Sequence, residues 1–217
     1  RLEITIILGG ENLFTNIVPK FGKGRILKKE MLENIRDYPR NFVGIFYKDY
    51  SDGIISGADI RVCESTIIIN KGIVKHNGII YMLEREFEVP YHQTNKEVLI
   101  KIRFEDECGD SDYNVFNSKI VIDDNTEIAD NEMELGRFKL REGAVLRSEY
   151  MDFYDFSTEY NTINVINVEY AGIKKSTLNP LILNYFANVV MKNNPENMLD
   201  IVFAFECLNK GAVKREA

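Results

Sequence analysis

The side chains with the most chemistry in them are few and widely spaced. Two histidines, His76 and His92, and three cysteines, Cys63, Cys108 and Cys207, are scattered singly along 217 residues. A zinc site needs paired Cys or His ligands, or two histidines one helical turn apart, and neither spacing occurs. His76 adjoins Asn77-Gly78 and reads as an exposed hairpin residue, whereas His92 follows Pro90-Tyr91 in a polar loop. A nucleophile elbow needs glycine two positions either side of its serine, and Ile55-Ser56-Gly57 lacks that frame. Cys108 sits among acids, the opposite of the electropositive setting that activates a thiol. The basic, glycine-containing stretch Phe21-Gly22-Lys23-Gly24-Arg25 does not have the spacing of a phosphate loop, which argues against a nucleotide-driven motor. It reads instead as an ordered docking loop.

Two acidic clusters remain, residues 105–112 and the group Asp123, Asp124, Asn125, Glu127 and Asp130. Calcium favours such oxygen donors, but the Asp-x-Asp-x-Asp-Gly frame that bends a loop around the ion is missing. Both clusters therefore read as solvated turns between strands. Paired carboxylates for glycoside hydrolysis leave no fixed spacing in sequence, and there is no Trp to stack a sugar. The expectation is a chain without a catalytic residue, cofactor or metal.

Composition narrows the classes further. With 27 basic and 34 acidic residues the formal charge is -7, and the pI is about 5.1. A protein that grips nucleic-acid backbones needs a concentrated basic face, so no nucleic-acid partner is expected. A hydrophobic fraction of 45% with 28% charged residues is that of a globular chain. No apolar run approaches the roughly 20 residues of a membrane span. Arg1-Leu2-Glu3-Ile4-Thr5 has no secretory leader character, and three unpaired cysteines fit synthesis in a reducing cytoplasm. Thirteen Phe and eleven Tyr supply large faces of the kind found in cores and interfaces.

The elements that would carry these residues fall into three parts. Residues 1–50 read as an N-terminal docking segment: a strand over Leu2–Leu8, an irregular loop, a short amphipathic helix from Lys28 ending before Pro39, and a strand over Asn41–Tyr47. Residues 51–171 read as an antiparallel, sandwich-like β domain of short strands with regular turns. Its clearest hairpin joins Gly72–His76 to Ile79–Leu83 across Asn77-Gly78, because both central residues of a type I′ turn need positive φ. Residues 172–217 read as a helical hairpin, with Asn179-Pro180 opening one helix, Asn194-Pro195-Glu196 opening the next and Gly211 ending it. The fold class expected is α+β, mainly β.

The second helix of that hairpin is apolar around most of its circumference, more than one sheet requires. Tyr185 and Phe186 on the first helix and Phe203 and Phe205 on the second are candidate contact residues. So are Tyr150, Phe153, Tyr154 and Phe156, closely spaced aromatics interleaved with acids. The other reading of both segments is burial against the chain's own core.

Four segments carry a resemblance: Ser51–Gly57, Gly72–Tyr81, Glu134–Leu140 and Phe153–Asn161. Together they resemble tail-module proteins of clostridial phages and of related contractile, tail-like particles, over about residues 40–190. The resemblance lies in turns and strands and supplies no active-site residue. It implies a virion structural role in a baseplate near the attachment of receptor-binding fibres, with other baseplate subunits and a tail fibre protein as partners. It also implies an oligomeric state within the particle. A carbohydrate- or receptor-binding β-module is the alternative, and a hydrolase with carboxylates far apart in sequence is a third.

Overall fold

A computed structural model describes residues 14–92 and 94–216. The chain divides into two compact units, residues 1–48 and 49–217. The strand expected over Leu2–Leu8 lies outside the described residues.

In the first unit, residues 14–28 have no regular structure apart from a turn closed by Arg25 N donating to the Gly22 carbonyl (3.1 Å). Helix α1 then runs over Lys29–Phe46. This corrects two expectations at once: Pro39 does not end the helix, and Asn41–Tyr47 is not a strand. Pro39 costs the helix one N–H donor, but the apolar period continues across it. Met31, Ile35, Tyr38, Phe42 and Ile45 recur at steps of four and three, the spacing of a helical seam. None of the helix's residues is buried.

The second unit is built on small antiparallel sheets, and its class is α+β, mainly β. Strands β1 (Gly53–Gly57), β4 (Gly72–His76) and β5 (Ile79–Leu83) form one sheet in the order β1-β4-β5. Strands β2 (Ile60–Cys63), β3 (Thr66–Ile69) and β6 (Phe87–Pro90) form a second in the order β2-β3-β6. The longest strand, β7 (Glu97–Phe104), is central in a third, flanked by β10 (Ser118–Asp123) and β11 (Glu132–Lys139). A two-residue ribbon of β8 (Cys108–Gly109) and β9 (Asn114–Val115) lies within the acidic loop. The Asn77-Gly78 hairpin is present, with φ of 49° and 77° at the two turn residues.

Alternation along β7 sorts its side chains between two faces. Val98, Ile100, Ile102 and Phe104 enter the main core with Met133, Leu135 and Phe138 of β11. A bulge at Leu135 resets the register between Glu134 and Gly136. The core also takes Leu140, Leu146, Phe156, Ile163, Val165 and Val168 from the long segment after β11, which is tied down by isolated bridges such as Arg137↔Asn164 and Arg147↔Thr162.

Helices α2 (Pro180–Lys192) and α3 (Met198–Lys210) follow, each opened by an asparagine whose side chain accepts from the backbone two residues on: Asn179 from Leu181 N and Asn197 from Leu199 N. Gly211 closes α3 in the left-handed conformation. The pair belongs to the same compact unit as the sheets, because Ile182 lies in the main core and Tyr185 packs against it. The break between units therefore falls after Lys48, and residue 172 marks a change of secondary structure within one body.

Candidate functional site

Seven of the eight aromatic residues expected to make contacts form one continuous seam. Tyr150 stacks on Phe156 at 4.2 Å between centroids, and both meet Tyr185 of α2 edge-on, at 6.4 and 5.4 Å. Phe153 continues the chain to Phe186 (5.6 Å), which in turn meets Phe203 of α3 (5.8 Å), and Tyr154 joins at Phe153 (6.1 Å). Offset and edge-to-face pairs of this kind add to simple area burial. Two hydroxyls lock the seam: Tyr150 Oη donates to the Ile163 carbonyl (2.6 Å) and Tyr185 Oη to the Tyr150 carbonyl (2.7 Å). Burial pushes the Tyr150 phenol well above its ordinary range. Most of the seam thus binds the helices to the molecule's own core. Phe156, 3% exposed, is wholly interior, while Tyr154 is 70% exposed and Phe203 and Phe205 are partly so.

The turn that presents Phe153 and Phe156 is a 3-10 segment over Phe153–Ser157, held by two carboxylates, Asp155 and the capping Asp152, which accepts from Asp155 N (3.1 Å). Asp155 takes both arms of the Arg147 guanidinium and also accepts from Met151 N (3.0 Å) and the Thr158 hydroxyl (2.9 Å). The Arg147 hydrogen bonds hold its carboxyl well below the usual range, against the opposing effect of burial. An open cleft of about 310 Å³ beside it is lined by Val62, Leu146, Arg147, Ser148, Tyr150 and Met151. Its one cation is committed to Asp155, and the Ser148 hydroxyl accepts from Val62 N (3.0 Å). Glu149, which is exposed, also lines the cleft, so the cleft offers an anion no uncommitted cation.

Some of the acidic groups singled out in the sequence, Asp110 and Asp123 among them, are engaged internally, and Glu132 joins them. Asp123 and Glu132 close on Lys101 and Arg103 on the second face of β7. Lys101 is completely buried and further donates to the Glu127 carbonyl (2.7 Å), so this cluster pins residues 124–131 over the sheet. Asp110 accepts from Asp112 N and Tyr113 N, which shapes the tip of the β8–β9 ribbon. Among the described residues no three His, Cys, Asp or Glu side chains are grouped to hold a metal ion. His76 is not the exposed hairpin residue expected: its ring is 8% exposed and stacks on Phe104 at 4.0 Å, with Asp52 3.9 Å from Nδ1.

Large apolar side chains are exposed on two helices and the segment before the first. On α3, Met198, Leu199, Val202, Phe205 and Leu208 face outward, while Ala204 and Cys207 pack inward against Leu183 and Ala187 of α2. On α1, Ile35, Tyr38, Phe42 and Ile45 are exposed, and so are Phe14, Ile17, Val18, Phe21 and Ile26 of the preceding segment. Sequence reasoning anticipated the α3 surface but missed α1. The unbroken four-three spacing through Pro39 is the signal that would have revealed it. No helix among the described residues is long and apolar enough to cross a membrane. The chain matches no protein-family model, no curated protein and no solved structure.

Proposed function

We propose that this chain is a non-enzymatic structural subunit that works by contact with neighbours, and specifically a baseplate component of a contractile phage tail or tail-like bacteriocin that connects the baseplate to receptor-binding fibres. The observation that carries the coarse reading is helix α1, an 18-residue helix with no buried residue and a full apolar seam on its surface. Most helical stability in proteins comes from packing of an apolar face, and exposed apolar faces of this kind characterise surfaces that a partner covers. The outward face of α3 supports the same reading. The tail baseplate as the particular assembly, and the virion as its location after synthesis in a bacterial cytoplasm, rest on the turn-and-strand resemblance over residues 40–190. The test is detection of the chain in purified tail particles, with native mass spectrometry of the free protein alongside. Presence in the particle at fixed stoichiometry is expected; a strict monomer absent from assembled tails overturns the reading.

A second reading, a carbohydrate- or receptor-binding β-module, is favoured by Tyr113 and Tyr154, both about 70% exposed beside carboxylates. Binding on a glycan array that disappears in Tyr113→Ala or Tyr154→Ala would replace the first reading with this one.

A further inference from the structure

Charge is distributed very unevenly between the two units. Residues 1–48 carry nine Lys and Arg against five Asp and Glu, a formal +4, whereas residues 49–217 carry 18 against 29, a formal -11. Each unit also exposes one apolar helix face, α1 in the first and the outward side of α3 in the second. Contact of α1 with another α1 would bring two basic units together, and contact of α3 with another α3 would join two strongly acidic ones. Only the crossed pairing brings opposite signs into register.

Locally the contrast is one-sided. Helix α1 is itself balanced, with Lys29, Arg36 and Arg40 against Glu30, Glu33 and Asp37, and its unit's positive excess lies outside the helix, at residues such as Lys20, Lys23, Arg25 and Lys28. The α3 face of Met198, Val202 and Phe205 is flanked by Glu196, Asp200 and Glu206, and no cation occurs between Glu196 and Lys210. Both seams step by four and three residues, the spacing that lets two helices interlock along their length.

We infer that α1 of one copy docks on the outward face of α3 of a second copy, so that the chain assembles head to tail. The inference rests on the reading of these faces as contact surfaces and names what covers them. Such a contact uses two different patches, so it repeats from copy to copy and yields a ring if the rotation closes or an open string if it does not.

The test uses the full chain in size-exclusion chromatography with light scattering, with far-UV circular dichroism confirming that each variant is folded. Phe42 and Val202 are 61% and 55% exposed, so a charge at either position leaves the fold intact. Wild type is expected to form oligomers that dissociate on dilution and in high salt. Phe42→Asp and Val202→Asp are each expected to stay monomeric, at least about tenfold weaker in self-association, because each sample lacks one half of every contact. Mixed in equal amounts, they are expected to form a dimer and stop, since one copy supplies an intact α1 and the other an intact α3. Assembly of either variant alone to the wild-type size, or no dimer in the mixture, overturns the head-to-tail pairing while leaving a contact role standing. A wild-type chain that is monomeric up to about 100 μM, the range of weak associations, also overturns it. The particle measurement above then decides separately whether the contact role survives.

Discussion

Lys101 Nζ lies 3.0 Å from Glu132 Oε2, and neither side chain has more than a sliver of surface in water. A buried pair of this kind adds little over an apolar core of equal volume, yet it is costly to break because the survivor stays charged in a dry site, here with only the partly exposed Arg103 left beside Glu132. Lys101→Ala is therefore expected to cost about 3–5 kcal/mol in urea unfolding at neutral pH. Arg103 also reaches Glu132, at 2.8 Å, so Arg103→Ala should cost less than Lys101→Ala. Equal losses would show that the two cations are interchangeable.

Asp155 gives the fold an acid-sensitive latch. Its carboxyl is held down in the folded chain, chiefly by Arg147, and returns to about 3.9 on unfolding. The stability it contributes is therefore fully present above roughly pH 5 and is lost as the pH falls through the unfolded value toward the folded one. Asp155→Asn should be less stable than wild type at pH 7, and the gap should narrow steadily below about pH 4. A gap that stays constant down to acid unfolding would mean that hydrogen-bond geometry, and not charge, carries the latch.

In the aromatic seam, ring packing and hydroxyl bonding are separable. Tyr150→Phe keeps the stack on Phe156 and removes only the bond to the Ile163 carbonyl, for an expected loss of about 1 kcal/mol. Phe156→Ala empties a fully interior site and should cost about 3–5 kcal/mol. Tyr154→Ala, at the exposed end of the same seam, should fall within about 0.5 kcal/mol of wild type. Thermal melts of the three variants rank them directly.

Two glycines at positive φ, one ending β1 and one in a turn, differ in the space around them. At Gly57, with φ of 65°, an added Cβ would lie 2.1 Å from the Lys71 carbonyl oxygen, whereas at Gly78, with φ of 77°, it would meet nothing within 4 Å. Gly78→Ala should therefore cost only the backbone strain, about 1–2 kcal/mol. Gly57→Ala should cost clearly more, since backbone must move to admit it. Equal melting temperatures for the two variants would contradict this steric account.

The parts of the fold that were readable in advance are those set by local chemistry. Asn77-Gly78 announces its hairpin because few residue pairs tolerate two positive φ values, and Asn179-Pro180 and Gly211 mark helix ends through hydrogen bonds to adjacent backbone. Helix α1 was obscured because Pro39 and the β-favouring Phe42-Val43 argued for a break and a strand, while the seam that overrides them becomes visible only across all 18 residues. His76 was misplaced because its burial comes from Phe104, a residue on a different sheet. The aromatic candidates lie together in one seam, but their division between interior and surface depends on how α2 lies against residues 150–156, which nothing in either segment encodes alone. Lys101 gave no warning at all: only the fold of residues 124–131 over β7 makes it buried.

The pairing of Tyr50 with Ile173 and of Ile54 with Tyr170 joins stretches more than a hundred residues apart, while β7, β10 and β11 all lie within residues 97–139. Closing so long a loop is entropically expensive, and non-local contacts of this kind slow the approach to the native state. Refolding should accordingly run in sequence, with hydrogen-exchange protection arising first around Ile100 and Ile102 and last at Ser51–Ile54 and Glu169–Lys174. In the interval before that seam shuts, the molecule carries a formed sheet with its β1 edge still without its final neighbour.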